Sequence, residues 1–120
     1  MKKISLILIL MTGLMTGLSA QSKKAVTVKI QTPTVQCEEC KKRIEDYMKA
    51  EDGVAKIVVD YKRKVATVTY LPDRTNIENV KTGIANAGYD ADDVKANEDS
   101  YKKLPTCCKK TEDGGGHARQ

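Results

Sequence analysis

The amino-acid sequence predicts an α+β fold in which one antiparallel sheet carries two helices on the same face. Two observations lead to this prediction. Four segments have the alternation or the short apolar run of a half-buried strand, and two segments repeat apolar residues at helical spacing. Their order along the chain is strand, helix, strand, strand, helix, strand. This order matches the ferredoxin-like βαββαβ arrangement, which has four strands in the sheet.

The first strand and the first helix are separated by a loop that contains Pro33. Apolar and polar residues alternate over 25–31, which predicts a half-buried strand. Over 38–50, apolar residues recur three and four positions apart, which predicts a helix with one buried stripe. The stripe consists of Cys40, Ile44, Tyr47 and Met48. Gly53 follows the helix and ends it.

The second half of the fold repeats the same signals. An apolar run over 54–60 and an alternating segment over 65–70 predict two strands joined by a turn. The segment 76–87 has helical spacing, and Gly88 closes it as a left-handed cap. A weaker strand over 90–96 completes the order. The predicted inward residues are Ala66, Val68 and Tyr70 in the third strand, and Ile77, Val80, Ile84 and Ala87 in the second helix.

The start of the chain has the composition of a targeting segment. Residues 1–20 combine Lys2 and Lys3 with a short apolar run and a terminal Ala20, which predicts a secretory signal peptide. The run is shorter than the ~20 apolar residues that span a bilayer, and a retained anchor is the alternative. We therefore expect a mature protein that begins near Gln21, is periplasmic or secreted, and has no membrane span after cleavage.

The balance of charge and residue types argues against two classes of function. Loss of Lys2 and Lys3 would lower the net charge from +5 to +3, with all 16 acidic side chains retained. A weakly basic chain without Trp or Phe lacks the basic and aromatic pattern of nucleic-acid binding. The sequence has one histidine and nothing that resembles a hydrolytic constellation. We therefore expect a protein that is not an enzyme.

The most specific motif is Cys37-Glu38-Glu39-Cys40, at the junction of the first strand and the first helix. Two thiolates at this spacing can close on one soft cation, and sulfur ligands select Cu(I) and similar ions. Structural zinc usually takes four ligands, whereas this loop offers two. Cu(I) is therefore the first predicted ion, Hg(II) the second, and Zn(II) ranks below both. The alternative is a pair of inert, buried cysteines.

Residues 97–120 have no periodicity and are predicted to form a flexible tail. Adjacent Cα atoms are ~3.8 Å apart, below the ~4.4–6.8 Å of a disulfide, so Cys107 and Cys108 are not expected to bond each other. When extended, the tail is long enough to return them to Cys37 and Cys40, as auxiliary metal ligands or disulfide partners. His117 could add a nitrogen ligand, although a lone histidine in a glycine-rich tail usually stays solvated.

The span 21–96 resembles a heavy-metal-associated domain, the module of copper chaperones, mercury-binding periplasmic proteins and metal-pumping P-type ATPases. The motif that carries the resemblance is Thr34-Val35-Gln36-Cys37-Glu38-Glu39-Cys40, in which Val35 stands at the family's methionine position. The other matching segments are Gly53-Val54, Val59-Asp60-Tyr61, Ala66-Thr67-Val68-Thr69-Tyr70-Leu71-Pro72 and Ala87-Gly88-Tyr89.

The resemblance implies that Cys37 and Cys40 bind the metal and that Tyr89 packs beside them. Val35 is smaller than methionine and would anchor the loop less firmly. The implied function is a carrier or scavenger that exchanges its ion with a metal-transporting membrane protein or another metal-binding domain. A homodimer bridged by the metal is a further option. Six basic residues could surround the site and dock an acidic partner. They are Lys41, Lys42, Arg43, Lys62, Arg63 and Lys64.

Two other functions share the motif. Thioredoxin-like thiol-disulfide oxidoreductases also place a Cys-x-x-Cys pair at a helix start. Glu38 and Glu39 oppose the reactive thiolate that such an enzyme needs, no tryptophan precedes Cys37, and the strand order fits poorly. An adaptor domain of a larger metal pump has the same fold, and this alternative stays open.

Overall fold

The computed structural model describes residues 24–116, so the predicted signal peptide and His117 lie outside the described residues. The strands are β1 (Val26–Gln31), β2 (Val54–Asp60) and β3 (Val65–Tyr70), and the two long helices are α1 (Glu38–Lys49) and α2 (Ile77–Asn86). The strands form one antiparallel sheet in the order β1-β3-β2. Within residues 24–116, no helix has the length and apolar character needed to cross a membrane.

The core lies between one face of the sheet and the two long helices. The predicted inward set of β3 is confirmed, since Ala66, Val68 and Tyr70 are all buried. Val80 and Ile84 of α2 belong to the same buried cluster. Removing this apolar surface from water stabilises the fold by ~25 cal/mol per Å².

The buried stripe of α1 is one residue narrower than predicted. Cys40, Ile44 and Met48 are fully buried, whereas Tyr47 is 40% exposed. Successive helical residues are ~100° apart, so Tyr47 lies ~60° around the helix from Ile44, at the edge of the stripe. Cys40 is therefore a core residue as well as a member of the Cys-x-x-Cys motif.

The prediction of a fourth strand is wrong. Residues 90–96 form a turn with a single bridge between Ala91 and Val94. The segment contains three aspartates, which are depleted in strands and favour turns. The turn still binds the edge of the sheet. Gln31 N donates to Asp92 Oδ1 at 2.7 Å, and Asp92 N donates to the Gln31 carbonyl at 2.8 Å.

Residues 97–116, the described part of the predicted flexible tail, instead fold back onto the domain. We call residues 97–116 the C-terminal segment. It contains α3 (Glu98–Lys102) and two short 3₁₀ helices, Thr106–Cys108 and Thr111–Asp113. Leu104 is its buried anchor and is only 6% exposed. Leu104 packs on Gly88, where φ is +108° and an added Cβ would lie 3.1 Å from the leucine side chain. Glycine at position 88 therefore serves both the backbone conformation and this packing.

We expect Leu104→Ala to loosen the C-terminal segment. Truncation of a buried leucine costs ~2–5 kcal/mol, and the lower end is expected because a surface segment can relax around the lost side chain. The midpoint of urea unfolding should fall accordingly. Val58→Ala is the matched control, because Val58 is 45% exposed and its truncation should change stability by only ~0.5 kcal/mol. Equal midpoints for the two variants would contradict this packing.

Candidate metal centre

The loop before α1, residues 32–37, is held in place by two other loops of the fold. Thr32 N donates to the Lys64 carbonyl at 2.8 Å, and Lys64 Nζ donates to the Val35 carbonyl at 2.6 Å. Asp90 N, just after α2, donates to Thr34 Oγ1 at 3.0 Å. The cysteine loop, the β2–β3 turn and the residues after α2 therefore meet at one end of the sheet, as the predicted order of elements requires.

Three thiols converge at this end of the molecule. Cys37 is the N-cap of α1 and Cys40 lies in its first turn, with 3.3 Å between their Sγ atoms. Cys108 Sγ, from the C-terminal segment, lies 2.6 Å from Cys40 Sγ and 4.0 Å from Cys37 Sγ. We call these three residues the thiol cluster. All four cysteines are free of disulfides.

The thiol cluster is buried and consists of sulfur alone. Cys37, Cys40 and Cys108 are 7%, 0% and 1% exposed. Within residues 24–116, these are the side chains of histidine, cysteine, aspartate or glutamate that lie close enough together to hold one metal ion as a group of three or more. Cys107 is half-buried, with its Sγ 3.9 Å from that of Cys108. Cys107 is therefore at the margin of the site rather than in it.

The backbone of the C-terminal segment places Cys108 over the pair. Cys108 N donates to the Pro105 carbonyl at 2.8 Å, which closes a 3₁₀ turn. Gln36 Nε2 reaches across from the cysteine loop and donates to the Lys109 carbonyl. Sequence reasoning missed this role of Gln36, because its partner is 73 residues away and no local pattern connects the two.

Val35 and Tyr89 belong to the same buried core cluster as the three cysteines. Each is fully buried. The Tyr89 hydroxyl has no well-formed hydrogen bond among the described residues. Its pKa is raised far above the usual range, by burial first and then by the sulfurs of Cys108 and Cys40. Tyr89 therefore stays protonated and has an O–H to donate to a nearby sulfur.

The pKa values of the Cys40 and Cys108 thiols are shifted in opposite directions. Burial opposes ionisation of Cys40, but hydrogen bonds with Cys108, with the backbone at Gln36 and with Cys37 outweigh it, so the pKa of Cys40 is lowered. Burial raises the pKa of Cys108, and its hydrogen bond with Cys40 adds to the effect. The Cys40 sulfur is therefore ionised before that of Cys108.

Four of the six basic residues predicted to surround the site already have partners. Lys41 pairs with Glu45 at 2.8 Å, Arg43 with Glu39 at 3.5 Å and Arg63 with Asp60 at 3.8 Å, and Lys64 bonds to the Val35 carbonyl. The side chains of Lys42 and Lys62 have no hydrogen bond or ion pair with the described part of the chain. No lysine or arginine of residues 24–116 is bonded to a sulfur of the thiol cluster.

The fold and the paired cysteines define a class of protein. The model of the heavy-metal-associated domain family matches residues 29–90, just over half of the chain. The chain therefore belongs to the heavy-metal-associated domain family. The Cys-x-x-Cys motif and the buried Val35 and Tyr89 all lie within the matched residues.

Relatives of this chain include proteins named for mercury and for copper. The periplasmic component of a mercuric transport protein from Shewanella putrefaciens is 33% identical over 63 residues, which is 52% of this chain and 69% of the relative. A copper-exporting P-type ATPase of Staphylococcus aureus (strain Newman) is 33% identical over 77 residues, which is 64% of this chain but only 10% of the ATPase.

Solved structures have the same fold. Oxidized MerP from Ralstonia metallidurans CH34 matches with a TM-score of 0.54 and 25% identity, over 57% of this chain and 94% of MerP. The CopZ metallochaperone matches with a TM-score of 0.53 and 23% identity, over 55% of this chain and 98% of CopZ. These matches cover little more than half of this chain.

We expect iodoacetamide to modify Cys107 before the other three cysteines of the folded, reduced protein, because Cys107 alone among them is half-exposed. Partial burial and the neighbouring Cys37 and Cys40 raise the pKa of Cys107 above its usual value of 9.0, against a hydrogen bond with Cys108 that lowers it. Only the thiolate reacts, so the rate of modification should keep rising as the pH passes 9.0.

Peptide mass spectrometry at timed intervals gives the modification rate of each cysteine. Protein unfolded in guanidinium is the control, in which all four cysteines should react at similar rates. Modification of Cys40 as fast as Cys107 in the folded protein would show that the thiol cluster is not covered.

Proposed function

We propose that this protein binds a soft metal ion through Cys37 and Cys40 and acts as a carrier or scavenger rather than as an enzyme. The observation that supports the proposal is the buried thiol cluster, whose sulfurs lie within 4.0 Å of one another at the start of α1. Soft thiolate ligands select soft ions. The first turn of a helix also favours the thiolate form that binds them. Cys108 supplies a third sulfur close enough to bind the same ion, and Cys107 lies at the margin of the site.

Electrostatics favours Hg(II) over Cu(I), which reverses the order predicted from the sequence. Two thiolates and Hg(II) form a neutral unit, whereas two thiolates and Cu(I) carry one negative charge. Burying an unpaired charge is costly, and no lysine or arginine of residues 24–116 is bonded to the sulfurs. The dipole of α1 offsets only ~0.3–1 kcal/mol. The relationship to a mercuric transport component from Shewanella putrefaciens supports the same order.

The proposed cellular role is transfer of the ion in an exported compartment. The relative from Shewanella putrefaciens is a periplasmic component of a transport system, and the start of this chain has the pattern of a signal peptide. The proposed partner is a metal-transporting membrane protein or another metal-binding domain. For two copies of this chain to share one ion, the C-terminal segment would have to move away from both cysteine pairs.

Anaerobic loading of the reduced protein should give one Hg(II) per chain, counted by native mass spectrometry. The double variant Cys37→Ser, Cys40→Ser should lose high-affinity uptake, with a fall in affinity of at least ~100-fold, because two of the sulfurs are replaced by hard oxygen donors. Cys107→Ser is the matched control and should load like the original protein. A parallel titration with Cu(I) in competition with Hg(II) tests the proposed order.

Two results would contradict this function. One is a reduced protein that takes up neither ion, and the other is a double variant that loads unchanged. An insulin-reduction assay on the same samples tests the oxidoreductase alternative. We expect no reduction above that of free glutathione, because Cys37 and Cys40 are covered by the C-terminal segment.

Of the six basic residues, Lys42 and Lys62 are proposed to dock an acidic partner, because their side chains have no hydrogen bond or ion pair within residues 24–116. Lys62→Glu should slow metal transfer several-fold at low salt, and added salt should erase the difference. The matching region of the Staphylococcus aureus ATPase can serve as the acceptor in a stopped-flow assay. Lys56→Glu makes the same charge change on an exposed residue of β2. Equal rates for the two variants would rule out docking through Lys62.

A further inference from the structure

We propose that the thiol cluster is a three-sulfur site for trivalent arsenic, which it takes up from arsenous acid through Cys37, Cys40 and Cys108. This inference deepens the proposed function, because it uses the same cysteine pair and adds a third ligand from the C-terminal segment. It names a different class of ion, one that forms three bonds to sulfur rather than two.

The donor set is the first reason. The three sulfurs come from two distant parts of the sequence, since Cys108 lies 68 positions after Cys40. Within residues 24–116, no histidine, aspartate or glutamate joins them. A site made of thiols alone suits soft ions. The same three thiols offer no oxygen or nitrogen ligand, so they disfavour hard ions and ions that need such ligands.

The distances between the sulfurs are the second reason. With metal–sulfur bonds of ~2.3 Å, a linear two-coordinate ion separates its sulfurs by ~4.6 Å, and a planar three-coordinate ion separates them by ~4.0 Å. An ion that forms three bonds at roughly right angles brings its sulfurs to ~3.3 Å. The distances in the thiol cluster are 2.6, 3.3 and 4.0 Å. All three are shorter than the linear separation, and they lie on either side of the ~3.3 Å expected for the pyramidal geometry of an ion with a lone pair, such as As(III).

Charge is the third reason. Three thiolates leave two negative charges with Cu(I) and one with Hg(II), but none with As(III). The cluster is almost completely buried, and no lysine or arginine of residues 24–116 is bonded to its sulfurs. Since an unpaired buried charge is costly, the neutral product is the one that this site accommodates with all three sulfurs bound.

The reaction needs no other reagent. Arsenous acid, As(OH)₃, exchanges three As–O bonds for three As–S bonds. Each S–H proton combines with a departing hydroxide, so three molecules of water are released. Arsenic stays trivalent and no sulfur is oxidised, so neither an oxidant nor a reductant is required.

The test is a titration of the reduced full-length protein with sodium arsenite. The chain has four cysteines, and we expect saturation at one arsenic per chain with a single thiol, Cys107, still reactive toward a thiol reagent. Cys108→Ser should weaken arsenite binding at least tenfold, because only two of the three sulfurs remain. Cys107→Ser, the matched control, should bind arsenite as tightly as the original protein and leave no reactive thiol.

The same variants separate this inference from the proposed function. Cys108→Ser should still take up one Hg(II) through Cys37 and Cys40, which also shows that the variant is folded. If the original protein binds Hg(II) but not arsenite, the arsenic site is refuted and the proposed function stands. If Cys108→Ser binds arsenite as tightly as the original protein, the third ligand is refuted. If neither ion binds, both proposals fail.

Discussion

The contact between Cys40 and Cys108 joins the core of the domain to the C-terminal segment, and the candidate site depends on it. Cys40 lies in the core of the domain and Cys108 in the C-terminal segment, and their Sγ atoms are 2.6 Å apart. A buried sulfur that must ionise needs partners to offset the loss of water. The hydrogen bond from Gln36 and the packing of Leu104 on Gly88 hold the segment where it can provide that partner.

A site of this kind meets two opposing requirements. Covering the cysteines keeps water away from the bound ion and strengthens every interaction with it. In the proposed function, the same cover would block the thiol of a receiving protein, so release would require a conformational change. The C-terminal segment is suited to such a change because its elements are short and only two of residues 97–116, Leu104 and Cys108, are buried. A segment held by few apolar contacts opens at lower free energy than the core does.

Local patterns in the sequence predicted the strands and helices whose apolar residues recur at a regular spacing. The predicted bounds of β2 and β3 agree with the structure to the residue, because β2 has a clear apolar run and β3 a clear alternation. The fourth strand failed because three aspartates outweighed Val94. The C-terminal segment could not be predicted as folded, because Leu104 contacts Gly88 and Cys108 contacts Cys40, and such pairs leave no periodic signal.

The long separation between the two parts of the site has a consequence for synthesis of the protein. Cys108 is 68 residues beyond Cys40, so synthesis must pass Cys108 before all three sulfurs can meet. A truncated or unfinished copy retains the helix with the first two cysteines but lacks the closing sulfur. Binding through all three sulfurs would therefore mark a molecule that has been synthesised past Cys108 and has folded its C-terminal segment onto the core.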